Sequence, residues 1–234
     1  MIRLEEKAFE ETVFAEENDI AVPIEVSVTA DGAVDLLVYS FAEETARRFE
    51  KEYGGDPFSD EAKAFLTDQL SPVMESLGYE TDGALTHGYL EYRCTSPDES
   101  RILQDCALID TLDGETGSEE LALDEFELDP GNPLDRMAVI RRNGRIVCYA
   151  GVNDLADDGV PELTVECDGD WRRQGFAASC AARLTVYLTG LGYAVSYACA
   201  ETNTASVRTA EAVGFEPVRR VMPFVCYRKD TEEA

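Results

Sequence analysis

One arginine-bearing turn constrains this chain more than any other stretch: Asp170-Trp171-Arg172-Arg173-Gln174-Gly175-Phe176-Ala177. Ahead of it, Glu162 to Cys167 has the pattern of a strand. Behind it, Phe176 to Leu191 sets Ala177, Cys180, Ala181, Leu184, Tyr187, Leu188 and Leu191 at helical spacing, with Gly192 as a stop. A strand that turns through Arg-x-x-Gly-x-Ala into a helix start is built to hold an anion. The first helical N–H groups have no partner inside the helix, and the aligned peptide dipoles leave about half a positive charge there. Gly175 lets the main chain come close to a ligand, and the small Ala177 keeps the next turn open. The plainer alternative is an ordinary turn carrying two solvated arginines.

The flanking segments favour the anion site. Tyr193 to Ala200 is a short apolar run suited to a buried strand. Asn203-Thr204-Ala205-Ser206 opens a second helix that ends at Gly214 and Phe215, where a left-handed residue is wanted. Upstream, Met137 to Arg142 and Arg145 to Asn153 form two strands joined by Asn143-Gly144, a strong hairpin signal.

This order, with Arg172 to Ala177 as one motif and Asn203, Ser206, Gly214 and Phe215 as the other, resembles the GNAT superfamily of acyl-CoA-dependent N-acyltransferases over residues 132–229. The resemblance implies an α+β fold, a mixed and mostly antiparallel sheet flanked by helices; the amino-terminal half, outside the resemblance, reads from its own sequence as an acidic α+β region. It implies acetyl-CoA as the acyl-donor cosubstrate and transfer of its acetyl group directly to a primary amine of a small molecule or peptide. Its pyrophosphate would lie on the backbone amides of Arg173, Gln174, Gly175, Phe176 and Ala177, beside Arg172. Val165 and Cys167 would pair main-chain groups with the pantetheine arm. Asn203 would bond the arm or the phosphate end, with Ser206 three positions on along the same helix face. Arg208 either reaches the 3′-phosphate or is a solvated helix arginine. One departure stands out: many members carry a tyrosine seven residues after that asparagine, proposed to protonate the leaving thiolate, and here the position is Ala210.

Chemistry makes that gap tolerable. A thiol near pKa 8.5 leaves readily, whereas an alkylammonium near 10.4 must first lose a proton, at about 4.6 kcal/mol at neutral pH. A carboxylate should take it. Glu166, in the strand beside the expected acyl group, leads; Glu162 and Glu201 are the alternatives, and each could equally be a solvated strand-end carboxylate. A backbone N–H near Cys167 would polarise the carbonyl. Tyr149, Tyr187, Tyr193 and Tyr197 each fit either the missing acid or ordinary core and rim. Cys167 itself lacks an evident base partner, which favours direct transfer over a covalent intermediate. The rival function is a non-catalytic coenzyme A-binding or regulatory interaction module.

Charge divides the chain. Residues 1–130 hold 34 Asp+Glu against 8 Lys+Arg, whereas 131–234 hold 14 against 12, within a total of −28. We therefore expect two units: an acidic α+β region at 1–130, of unknown role, and an acyltransferase domain at 131–234. The acidity argues against nucleic acid and anionic membrane as partners. It serves either solubility or the attraction of a cationic amine. Screening beyond about 8 Å lets Arg172, Arg173 and the loop amides dominate locally.

Seven scattered cysteines without a Cys-x-x-Cys pair, and a single histidine, His87, give no metal site. No apolar run is long enough to cross a bilayer and Met1 to Glu11 is too charged for a secretory signal, so we expect a cytoplasmic protein. In the first half, Asp31-Gly32 marks a hairpin between 23–28 and 33–39. Ser40 with Glu43 makes a capping box for a helix ending near Gly54, and Ser59 caps another that Ser71-Pro72 bends or ends. Residues 86–94 suggest a strand and 98–110 a short helix and strand. Thr111 to Asn132, dense in Asp, Glu and Gly, is expected to be a linker. Val218 to Tyr227 is either a core strand or a pairing edge, which leaves monomer and homodimer open.

Overall fold

The computed structural model describes residues 2–4, 20–81, 88–156 and 158–228. In chain order they form β1 (Ile2–Leu4), β2 (Ile20–Ala21), β3 (Ile24–Thr29), β4 (Val34–Val38), α1 (Glu43–Tyr53), α2 (Asp60–Ser76), β5 (Tyr79–Glu80) and β6 (Tyr89–Cys94). There follow β7 (Ala107–Ile109), β8 (Met137–Arg142), β9 (Arg145–Leu155), β10 (Pro161–Cys167), α3 (Phe176–Gly190), β11 (Val195–Ala200), α4 (Thr204–Val213), β12 (Glu216–Pro223) and β13 (Cys226–Arg228). The architecture is mixed α+β, mostly antiparallel. Two compact units divide it: 1–90 with 219–234, and 91–218.

The charge step at 130/131 is therefore not where the chain divides into units. Charge describes a surface, whereas units are set by buried apolar side chains. The segment from 111 to 132, expected as a linker, shows why. Leu112, Leu121, Leu123, Phe126 and Leu128 pack with Met137, Val139, Ile146 and Tyr149 of β8 and β9, and the Phe126 ring meets Tyr149 edge-on at 5.4 Å. Asp113, Glu119, Asp124, Glu127 and Asp129 are exposed along this packed strap.

In the first unit, β3 and β4 form the expected hairpin, with Gly32 at φ 86°. The sheet order is β1-β4-β3-β12, and Arg219 to Pro223 run antiparallel to Thr29 to Glu25. Val218 to Tyr227 is thus largely core strand. A small second sheet has the order β2-β13-β5. Helix α2 buries Ala62, Leu66, Leu70 and Met74, one residue per turn, against Phe49 of α1, Ile24, Val26, Leu36 and Phe224. That stripe carries one helix past Pro72 to Ser76, where sequence alone suggested a bend or the start of a new helix. The Ser40–Glu43 capping box does not form: residues 40–42 wind into a 3-10 turn, and Glu43 instead pairs with Arg47 one helical turn on (Nε donating to Oε1 at 2.9 Å). Of the segment 86–94, residues 89–94 are strand, and Thr86 and His87 lie outside the described residues.

The second unit has the sheet order β6-β11-β10-β9-β8-β7. Strands β7 to β10 are antiparallel neighbours, and the β8–β9 hairpin turns at Asn143 and Gly144, both left-handed at φ 54° and 78°. Helix α3 packs on β8, β9 and β10 and buries Phe176, Cys180, Ala181, Leu184 and Leu188. Each large side chain so buried contributes about 1.5–3 kcal/mol. Strands β10 and β11 run parallel, but their pairing is confined to Glu162↔Ser196 and Leu163↔Tyr197. Beyond that point they fork.

Candidate functional site

The fork and the turn after β10 make the site. At the turn, Arg173 adopts φ 62° and Gly175 φ 80°, so the chain enters α3 through two left-handed residues. A non-glycine residue in that region costs of order 1–3 kcal/mol and tends to persist where function needs it. Gly175 is the N-cap of α3, and neither a side-chain cap nor an acidic residue occupies the first turn. A Cβ on Gly175 would meet nothing within 4 Å, so the space over the helix start is open. The orphan amide donors of Phe176 and its neighbours face that space with the positive end of the helix dipole.

Neighbouring side chains brace the turn. Asp168 accepts from the Asp170 N–H at 2.9 Å and from the Ser118 hydroxyl, and Glu120 accepts from the Gly169 N–H at 2.7 Å. Arg172 Nε donates to the Cys167 carbonyl at 3.1 Å. Trp171 stacks on Phe176 at 6.4 Å, and the Arg142 guanidinium lies 4.5 Å from the Phe176 ring centroid. Trp171 thus seals the strand-to-helix turn.

A cavity of about 840 Å3 runs between this turn, the fork and the start of α4. Small-molecule sites span about 300–1,000 Å3. Of the residues singled out from sequence, Val165, Glu166, Cys167, Arg172, Arg173, Gly175, Phe176, Ala177, Asn203 and Ser206 line it; Glu162, Gln174 and Glu201 are not among its lining residues. Asn203 caps α4, its Oδ1 accepting the Ser206 N–H at 3.2 Å. The cap uses the carbonyl oxygen and leaves the amide N–H groups as the donors this side chain can offer a ligand. Arg208 joins Arg172 and Arg173 on the wall. Glu120 and Leu121 also line it, and sequence reasoning missed them because it read 111–132 as linker. The apolar alternation at Leu121, Leu123, Phe126 and Leu128 was the available signal.

The carboxylates differ in kind. Glu166 accepts the Ala122 N–H at 3.1 Å. Glu162 sits where the fork closes. Burial lifts its pKa above the ordinary value, with Glu91 and Asp154 adding to the rise and the Ser196 hydroxyl and Arg93 opposing it. Ser196, fully buried, donates to Glu162 at 3.2 Å and accepts from Arg93, which is in turn paired with Asp158 at 3.0 Å. The Cys167 thiol, opposite Cys148 in the β9–β10 ladder, is pushed up by its bond to that thiol and by burial. A protonated thiol is a poor nucleophile. Among the described residues no cluster of three or more His, Cys, Asp or Glu is placed to hold a metal, and no helix is long and apolar enough to cross a membrane.

Residues 102–215 match the acetyltransferase (GNAT) family. No curated protein matches the chain. Among solved structures, a GNAT-family protein of Novosphingobium aromaticivorans DSM 12444 is 17% identical with a TM-score of 0.49, over 65% of this chain and 68% of that one. A GCN5-related N-acetyltransferase-like protein of Streptococcus suis 89/1591 is 19% identical with a TM-score of 0.43, over 67% of each chain. For a GNAT-family acetyltransferase of Colwellia psychrerythraea the values are 15% and 0.41, over 61% of this chain and 56% of that one. With the strand, turn and two helices of the cavity inside the matched segment, residues 102–215 form a GNAT-family acetyltransferase domain, and the chain is an acyltransferase.

Proposed function

We propose that this enzyme moves an acetyl group from acetyl-CoA directly to a primary amine of a small molecule or peptide. The observation that carries the reading is the uncapped, acid-free start of α3, opening through Gly175 into a cavity that extends to the β10–β11 fork. The amides of 173–177, with Arg172 and Arg173, would hold the pyrophosphate. The main chain of Val165 and Cys167, in the part of β10 that β11 does not pair, would take the pantetheine arm, and Asn203 and Ser206 would bond it from α4. The wall residues suit a polyanion with a long neutral arm.

The amine must arrive deprotonated. Of the three carboxylates weighed from sequence, Glu162 is the best suited to take its proton. Desolvation raises its pKa toward the working pH, and its site is the closed end of the fork. Glu166 is committed to a backbone amide; Glu162 and Glu201 both lie outside the cavity wall, but Glu162 belongs to the strand pair that closes the fork. A chain that spends its cysteines largely as buried packing groups suits the reducing cytoplasm.

The test is thiol release. Acetyl-CoA is mixed with a panel of polyamines, aminoglycosides, amino acids and peptides, and free coenzyme A is followed with a thiol reagent. We expect release that depends on one class of amine. Tight coenzyme A binding with no release across the panel would instead favour a regulatory binding module.

A further inference from the structure

Four of the seven cysteines lie in a row that runs from the core to the cavity wall. Cys106 Sγ is 3.9 Å from Cys180 Sγ on α3, and Cys180 Sγ donates to the Cys148 carbonyl of β9 at 3.7 Å. Cys148 in turn faces Cys167 across the β9–β10 ladder. The register decides what this last pair can do. The Asp168 N–H donates to the Val147 carbonyl at 2.9 Å, so 168 and 147 are a hydrogen-bonded pair. Cys167 and Cys148, one step along, are therefore a non-hydrogen-bonded pair, whose side chains share a face and whose Cα atoms stand about 4.5 Å apart. A disulfide needs Cα atoms about 4.4–6.8 Å apart. Cys148 is fully buried, whereas Cys167 is half-buried and lines the cavity.

We propose that Cys148 and Cys167 are a modification site: a hydroperoxide entering the cavity closes them into a disulfide, and the disulfide weakens the hold on the acyl donor. The second half rests on the acetyl-CoA reading above; the first does not. The Cys167 sulfur attacks one peroxide oxygen, the O–O bond breaks, and one water leaves with the thiol proton, so that Cys167 becomes a sulfenic acid. The Cys148 sulfur then attacks the Cys167 sulfur, the S–O bond breaks, and a second water carries off the other thiol proton. Two thiols are oxidised to one disulfide, and one peroxide is reduced to two waters. Cys106 and Cys180 are both buried and neither lines the cavity, so the bond forms at the pair an oxidant can reach.

The Cys167 proton lies between two acceptors, the Cys148 sulfur and the Trp171 carbonyl oxygen, the latter 3.6 Å from Sγ. Hydrogen bonds from Cys167 and Cys180 hold the Cys148 thiol down to about 5, which makes it the ready nucleophile of the second step. Cys167 carries the charge only when its proton crosses to Cys148, so oxidation begins slowly and closes fast. A disulfide sulfur has no proton to give. On oxidation the Trp171 carbonyl loses its donor, and Cys167 is drawn toward β9, away from the turn that carries Arg172 to Gly175. The seat proposed for the pyrophosphate loosens while the core stays packed.

The test exposes the full chain to hydrogen peroxide under native conditions, blocks the remaining thiols with an alkylating reagent, and maps disulfides by mass spectrometry of unreduced peptides. We expect a linked Cys148–Cys167 pair, the loss of both thiols, and their full return with dithiothreitol. Calorimetry with acetyl-CoA should show an affinity about three- to ten-fold weaker after oxidation, the worth of one hydrogen bond at the turn, with recovery on reduction. Cys167→Ser should form no bond at Cys148, and its affinity should not respond to peroxide. A bond between Cys106 and Cys180 instead, a bond between two chains, or Cys167 carried on to the sulfinic acid with Cys148 still a thiol overturns the proposal. A mapped Cys148–Cys167 bond that leaves acetyl-CoA affinity unchanged overturns its second half. Reduced protein that gives no heat with acetyl-CoA removes the acetyl-CoA reading itself, and the peptide map still decides the disulfide.

Discussion

Two helix starts in this molecule face the same physical problem and solve it in opposite ways. Helix α2, in the first unit, begins after Ser59, whose hydroxyl accepts the Ala62 N–H at 3.3 Å, and carries Asp60 and Glu61 in its first turn. Helix α3, in the second unit, begins at Gly175 in a left-handed conformation, with no side-chain cap and no acidic residue in its first turn. Each has orphan amide donors and the positive end of a dipole. At α2 the chain answers them itself, and the result is stability. At α3 it leaves them for something else to answer, and holds Arg172 and Arg173 beside them. An unsatisfied helix start is a cost to the fold, and its survival at the mouth of a cavity is what supports the proposed phosphate seat.

A similar contrast separates Glu166, held by the Ala122 N–H, from Glu162, desolvated where the fork closes. The largest expected effect tests it. Glu162→Gln should lower kcat by about 10²–10⁴, the usual worth of a general base, whereas Glu166→Gln should cost only a few-fold. The sign of the pH dependence follows from the raised pKa of Glu162. Its inactive protonated form persists to higher pH than in an exposed glutamate near 4.3, so kcat/KM should fall on the acid side through a limb above that value. That limb should vanish in Glu162→Gln. If Glu166→Gln removes it instead, the two carboxylates have been assigned the wrong way round.

Making the start of α3 resemble that of α2 is the next test. Gly175→Asp places a carboxylate where the anion should sit, on a residue at φ 80°, and should weaken coenzyme A binding about 100-fold or more by calorimetry. Unchanged affinity would end the assignment of the turn as a phosphate seat. Arg173→Ala leaves the amides in place and removes one charge. We expect an affinity loss of about ten-fold and a weaker dependence on salt, read from titrations at several ionic strengths. The smallest effect belongs to α2. Ser59→Ala should cost about 1 kcal/mol of stability, a shift of about 2–4 °C in Tm, with no change in coenzyme A affinity. Any change in affinity would show that the two helix starts are not independent.

Local chemistry was legible in the sequence. The Asn143-Gly144 hairpin, the strand ahead of the turn, the stop of α3 near Gly192 and the caps of α4 at Asn203 and Gly214 all follow from backbone preferences of a few adjacent residues, and all are present. So is the grouping of Val165 to Cys167, the Arg172–Ala177 turn apart from Gln174, Asn203 and Ser206 around one cavity. Three things were not local. Whether Pro72 breaks α2 depends on Leu66, Leu70 and Met74 finding a core, and the Ser40 cap gives way to a 3-10 turn and an Arg47 pair. Whether 111–132 is linker or wall depends on β8 and β9 offering Met137, Val139 and Tyr149 to its leucines, and the charge of the segment conceals this. Which carboxylate is the more desolvated, and which tyrosine lines the cavity, depends on where β10 and β11 part. Sequence decides which residues can turn, cap or carry charge, because those preferences act over three or four bonds of chain. Burial, and with it the pKa of Glu162 and the place of Tyr197, is decided only when strands distant in sequence become neighbours.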